Sequence, residues 1–219
     1  MGNLLELRDI NKNYGDDVIL SGVSFTLTRE TAVAIIGHSG GGKTTLLSIM
    51  GLLQQATSGT VLVAGRDIAG LDPQRLAKLR GEYLSFVFQR ARLLNSLTAL
   101  ENVMAPAWFI RSGVNVEHEA KALLENFGLA HRLHHKPQEL SLGQLRRISL
   151  ARALLLKPPI LLADEPTNDL DPALADEVTA CLLAARRDGT GVVIVTHDAG
   201  LAAQADQIFR LEAGALRPA

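Results

Sequence analysis

The sequence predicts an α/β fold in which a parallel-sheet core is covered by helices and preceded by a small antiparallel β layer. Short runs rich in β-branched and aromatic residues recur at 32–36, 84–88, 160–163 and 192–196. Several are continuously apolar, as strands covered on both faces are. Helical patterns lie between and after them, at 116–127, 142–156 and 172–187, and strands alternating with helices make a parallel sheet. The residues directly after the four strands are Gly37, Gln89, Asp164 with Glu165, and His197. Ligands of open parallel sheets sit at the carboxyl ends of the strands, so four strand tips deliver these groups to one edge.

The antiparallel layer is read from the first sixty or so residues, where Leu5 and Leu7, Val18 and Leu20, and Val23, Phe25 and Leu27 alternate with polar neighbours. The chain has 219 residues, enough to bury roughly 70% of its unfolded surface without staples. A lone cysteine, Cys181, makes no internal disulfide and suits a reducing compartment. A net charge of -1 gives no overall electrostatic footprint for nucleic acid, and none is expected as a partner. Glu6, Arg8 and Asp9 fall where a signal peptide needs an apolar run. The most apolar stretch, 153–163, is broken by Lys157, Pro158 and Pro159 and is too short to span a bilayer. The expectation is a cytoplasmic chain that reaches a membrane only through a partner.

Gly37-His38-Ser39-Gly40-Gly41-Gly42-Lys43-Thr44 fits G-x-x-x-x-G-K-[ST] directly after an apolar strand and directly before a helical run at 45–50. The glycines let backbone N–H groups converge on phosphate oxygens, and the helix N-terminus adds its positive end. Lys43 then supplies a charge to the outer phosphates, and the Thr44 hydroxyl a ligand to magnesium. The run 160–163 ends in Asp164 and Glu165, an expensive pair at a buried strand end unless a cation or a water needs them. Asp164 is expected to hold the metal and Glu165 to polarise the attacking water as general base. Gln89 can offer its amide oxygen to the same metal or be an ordinary loop residue. His197 can sense a γ-phosphate or be a satisfied loop histidine, and Tyr14, before Gly15, can stack on adenine or simply pack.

Ser141-Leu142-Gly143-Gln144 opens the helix at 142–156 with capping-box spacing. A capped helix end is also a phosphate-binding device, with Ser141 and the Gly143 N–H free to meet oxygens. One nucleotide does not easily sit on two helix ends from distant parts of a small chain. The second end therefore invites another chain's ATP and predicts a head-to-tail pair sharing two nucleotides.

Taken together these residues resemble the ABC ATPase family along nearly the whole chain. Tyr14 is similar to its aromatic A-loop residue, residues 37–45 including Thr45 to Walker A, Gln89 to the Q-loop, and 140–144 including Gln144 to the LSGGQ signature. Asp164 and Glu165 resemble Walker B with its catalytic glutamate, residues 168–171 ending in Asp171 the D-loop, and His197 the switch histidine. The resemblance implies a P-loop NTPase of the ABC type with an inserted helical lobe. The lobes would be roughly 1–88 with 158–219 for catalysis, and 89–157 for the signature. It implies ATP and magnesium as cofactors, a second ATPase subunit, most simply an identical one, and a transmembrane permease. It further places the protein peripherally at the inner face of the cell membrane. Residues 97–103, with Ala163-Asp164-Glu165-Pro166-Thr167-Asn168, resemble the lipoprotein-releasing and macrolide-exporter (MacB-type) branch, which includes cell-division relatives. There 88–108 would form the coupling surface, unless Trp108 and Phe109 belong to the core.

Two departures from the family pattern stand out. Leu142 replaces the first signature glycine, a costly change if φ is positive and a small one if φ is helical, where it extends the stripe of Leu145 and Ile148. Asp169 adds an acid to the D-loop. Rival readings are a DNA-repair or chromosome-organising ATPase, which would interrupt the domain with a coiled coil, and a nucleotide kinase, which would lack the signature. A signalling or cell-division ATPase at the membrane is the alternative within the family. His131, His134 and His135 lack a Cys or acid at ligand spacing and read as a solvated helix end, and Lys78, Arg80, Arg90 and Arg92 make a locally basic stretch.

Overall fold

The computed structural model describes residues 2–38, 40–110 and 115–219. In chain order its elements are β1 Leu5–Tyr14, β2 Asp17–Leu27, β3 Ala32–Ile36, α1 Lys43–Met50, β4 Ser58–Val63, β5 Arg66–Asp67, α2 Pro73–Tyr83 and β6 Leu84–Val87. Then follow α3 Ala99–Ile110, α4 Glu117–Asn126, α5 Leu142–Leu154, β7 Ile160–Asp164, α6 Pro172–Arg187, β8 Gly191–Val195, α7 Ala199–Ala202, β9 Gln207–Glu212 and β10 Ala215–Pro218.

Two sheets form. The N-terminal one is antiparallel in the order β2-β1-β4-β5, as the alternating pattern predicts. The second runs β10-β9-β3-β8-β7-β6, parallel from β9 through β6, with β10 as an antiparallel edge. Each central strand serves two cores, because successive side chains point to opposite faces. Leu161, Ala163, Val192 and Ile194 pack toward the side of α3 to α6, while Ile160, Leu162, Val193 and Val195 pack toward α1 and the antiparallel layer. That double burial explains the continuous apolar runs.

Each predicted strand and helix is present, with ends displaced by a residue or two. The run at 84–88 stops at Val87, and the helix at 142–156 stops at Leu154. Several elements were not anticipated, among them α2, α3 and the β9–β10 hairpin. α2 starts on Asp72, whose carboxylate accepts from Arg75 N–H, with Pro73 at the first helical position, a start signal followed by few apolar residues. α3 carries Pro106 in its interior, which argues against a helix until the packing of α3 on α4 and α5 outweighs it. β9 and β10 form a hairpin whose turn residues Ala213 and Gly214 both have positive φ, as a type I′ turn requires. Among the described residues no helix is long and apolar enough to cross a membrane.

Candidate active site

The strand tips meet at one cavity of about 670 Å³, to which Gly37, His38, Gly40, Gly42, Lys43, Thr44, Thr45, Gln89, Asp164, Glu165 and His197 all contribute. Gly41 supports the loop by donating its N–H to the His38 carbonyl at 3.1 Å, and Ser39 lies outside the described residues. Two glycines are dictated by space. A Cβ on Gly37 would run into the Leu211 carbonyl, and one on Gly42, at φ 90°, would meet Ile19 Cγ2 at 2.9 Å. Gly42 is also the N-cap of α1 and offers no side-chain cap, so the first-turn amides are left for a ligand at the cavity. Lys43 is buried, and its ammonium donates to the carbonyls of Gly37 at 2.8 Å and His38 at 2.9 Å, 4.0 Å from Glu165.

Asp164 ends β7 with its Oδ1 fully buried and without a hydrogen-bond partner among the described residues. Burial, and then the charge of Glu165, push its carboxyl above the usual aspartate range, while Thr44, Lys43 and Arg92 pull the other way. A buried oxygen of this kind needs an explanation. A hydroxyl (Thr44), a carboxylate (Asp164) and an amide (Gln89) around one cavity are the hard oxygen donors that magnesium takes, so the residues present fit that ion. Glu165 leaves the strand with φ 44°, its N–H donating to the Val195 carbonyl at 2.8 Å. Its Oε2 accepts from the His197 backbone N–H at 3.2 Å and lies 2.8 Å from His197 Nδ1, which carries the proton if that contact is a hydrogen bond.

Tyr14 does not line this cavity. It is 50% exposed at the end of β1, with Lys12 5.1 Å from its ring centroid and the Gln54 amide on its hydroxyl. Asn168, the first residue of the D-loop match, also lines the cavity, as does Ile19, which the sequence did not single out. Ile19 carries no polar signal of its own and arrives because β2 passes beside the glycine loop.

The second helix end opens elsewhere. Ser141 and Gln144 form the predicted reciprocal capping box at the start of α5, with Ser141 Oγ accepting at 3.3 Å and Gln144 Oε1 at 2.9 Å. Ser141, Gly143, Gln144 and Asp171 line a separate cavity of about 380 Å³. Asp171 caps α6 by accepting from the Leu174 N–H at 3.0 Å, and Arg147 pairs in bidentate fashion with Glu177 on the same wall. None of the described residues among 37–45 lines this second cavity.

Leu142 begins α5 with helical backbone, which fits the low-cost alternative, but it is 57% exposed and so does not join the buried stripe toward Ile148. Leu142→Gly is therefore expected to alter stability by less than about 1 kcal/mol and turnover by less than roughly threefold, as surface changes do. Thermal melting and phosphate release check this. His135 Nε2 lies 2.9 Å from the Arg132 guanidinium, an intrachain contact at the predicted helix end.

The glycine loop between β3 and α1, facing an acid at the tip of β7, defines a P-loop nucleotide-hydrolysing domain. The family model described as ABC transporter matches residues 20–168. The macrolide export ATP-binding/permease protein MacB of Escherichia coli strain K12 is 45% identical over 221 residues, covering 98% of this chain and 34% of that protein. The lipoprotein-releasing system ATP-binding protein LolD of Shewanella frigidimarina is 44% identical over 98% of this chain and 92% of its own length. A dimeric structure of the ATP-binding cassette MJ0796, in a post-hydrolysis state with ADP and Pi, superposes with a TM-score of 0.88 at 36% identity, over 98% of this chain and 97% of that one. The chain belongs to the ABC transporter family. It spans about a third of the length of the MacB relatives it matches.

Proposed function

We propose that this chain is the ATP-hydrolysing unit of an exporter of the MacB and lipoprotein-release kind, pairing head to tail with a second copy around two MgATP and driving a membrane permease. The observation that carries the reading is the separation of the two phosphate-binding devices. Residues 37–45 converge with the strand tips on one cavity, while Ser141, Gly143, Gln144 and Asp171 open onto another. Each chain thus offers two different halves, which two copies complete reciprocally. Dimeric structures of MJ0796 support this arrangement.

In this reading the loop amides and Lys43 grip the outer phosphates, and Thr44, Asp164 and Gln89 hold magnesium, which neutralises charge on the phosphate oxygens. Glu165 takes a proton from the water that attacks the γ-phosphorus as the bond to the bridging oxygen breaks. His197, anchored to Glu165 Oε2, orients that carboxylate toward the transferred group. The two lobes proposed for the chain divide these tasks, with residues 89–157 presenting the signature and the permease-facing surface. Trp108 at 47% exposed and Phe109 at 85% are surface residues, which removes the core alternative for both and suits a docking face.

The test is magnesium-dependent ligand stabilisation. At ATP near a hundred times Kd the wild type should gain about 2.7 kcal/mol, a rise in Tm of roughly 5–10 °C. Lys43→Ala, compared with its own nucleotide-free form, should rise by less than about 2 °C. An equal rise in both proteins would remove the loop as the nucleotide site.

A further inference from the structure

The helix that opens at Ser141 is fastened to the loop that carries Gln89. Arg146 of α5 is only 3% exposed and donates one guanidinium N–H to the Phe88 carbonyl at 2.7 Å, directly before Gln89. Its Nε is buried without a partner among the described residues. Further along α5, Arg152 donates through Nη1 to the Arg92 carbonyl at 3.0 Å and through Nη2 to the Ala91 carbonyl at 3.1 Å. Burial holds both guanidinium groups below their ordinary pKa. Taking a guanidinium out of water is unfavourable, and apolar residues would fill the same space without that cost. Packing alone does not account for this charge.

A third segment joins the junction. Asp169, at φ 61° in the turn before α6, lines the same 430 Å³ cavity as Gln89, Leu142 and Arg146, and its charge favours the ionised form of Arg146. One buried guanidinium therefore answers to the loop after β6 by a direct bond and to the turn after β7 through the field.

On the head-to-tail reading proposed above, on which this inference rests, Ser141 meets the partner copy's nucleotide and Gln89 meets the chain's own. We infer that Arg146, with Arg152 and Asp169, is a positioning residue that makes these two half-sites move as one body, so that nucleotide in one site of the dimer sets the geometry of the other. A helix is stiff over this span, since Ser141 and Arg146 are less than two turns apart.

Cooperativity of hydrolysis in ATP concentration reads this coupling, whereas nucleotide affinity of the monomer does not. The wild type is expected to show a Hill coefficient approaching the limit of about two set by two sites. Arg146→Met, which keeps bulk and removes the donors, should bring it to about one and lower kcat roughly tenfold, with monomer MgATP affinity within about twofold. Arg146→Lys should recover part of the cooperativity, because it retains a charged donor. Asp169→Asn should lower the coefficient in the same direction, at an exposed position whose left-handed backbone Asn tolerates. An unchanged coefficient in Arg146→Met overturns the inference. If Arg146→Met does not fold, unchanged coefficients in both Arg146→Lys and Asp169→Asn overturn it, and a fall in either supports it. A wild type that dimerises yet hydrolyses with a coefficient of one also overturns it. Failure of Glu165→Gln to dimerise would instead sink the head-to-tail reading.

Discussion

Glu165→Gln is expected to lower ATP hydrolysis by about 10²- to 10⁴-fold, the contribution of a positioned general base, while leaving MgATP binding intact. The amide is isosteric with the carboxylate and still offers an oxygen to the His197 N–H, so the φ 44° turn that aims the side chain need not change. What disappears is basicity. The charge of Glu165 is also one of the forces raising the Asp164 carboxyl, so its removal eases ionisation of Asp164, and magnesium binding is not weakened. With both halves of the site intact and turnover blocked, the variant should accumulate as a nucleotide-bound dimer, seen as a doubling of mass by light scattering in MgATP. A variant that stays monomeric at saturating MgATP counts against nucleotides shared between chains. One that hydrolyses at the wild-type rate removes Glu165 from the chemistry.

The parts of this site legible in sequence are those whose chemistry is short-range. Gly37 and Gly42 are needed because the Leu211 carbonyl and Ile19 leave no room for a side chain. Asp164 and Glu165 read clearly because an acid pair ending an apolar run is too costly to be incidental. Ser141 and Gln144 read as a cap because both partners lie within one turn of the same helix. What stayed hidden depends on distant parts of the chain meeting. Ile19 has no signal of its own, and its place at the cavity follows from β2 passing beside the glycine loop. The bond from Arg146 to the Phe88 carbonyl joins residues 58 apart in sequence, and an arginine inside a helical pattern reads as surface until its burial is seen. α3 was obscured by Pro106, whose local cost is outweighed by packing that only the folded chain supplies. The fold class was thus readable from periodicity, whereas the fastening between segments was not.

Asp164→Asn should stabilise the nucleotide-free protein and destroy its function together. Folding raises the Asp164 carboxyl above its ordinary value of 3.8, mainly through burial. The folded chain therefore holds that proton more tightly than the unfolded chain does, and this residue's contribution falls as pH rises through the raised value. Above that raised value the protein holds a buried carboxylate oxygen with no partner among the described residues, a state whose cost a bound magnesium would relieve. The neutral amide avoids the charge, for an expected gain of about 1 kcal/mol or roughly 2–4 °C in Tm. That gain should shrink as pH falls toward the ordinary value of 3.8, where the unfolded carboxyl is protonated as well. Hydrolysis should fall at least about 100-fold, because a neutral amide is a weaker magnesium ligand than the carboxylate it replaces and transition-state charge on the phosphate oxygens goes unneutralised. The magnesium-dependent part of the Tm rise with ATP should vanish as well. Melting curves with and without magnesium across pH, alongside phosphate release, separate these effects. A variant no more stable than the wild type at neutral pH, or one that keeps magnesium-dependent stabilisation, would show that Asp164 is not held for the metal.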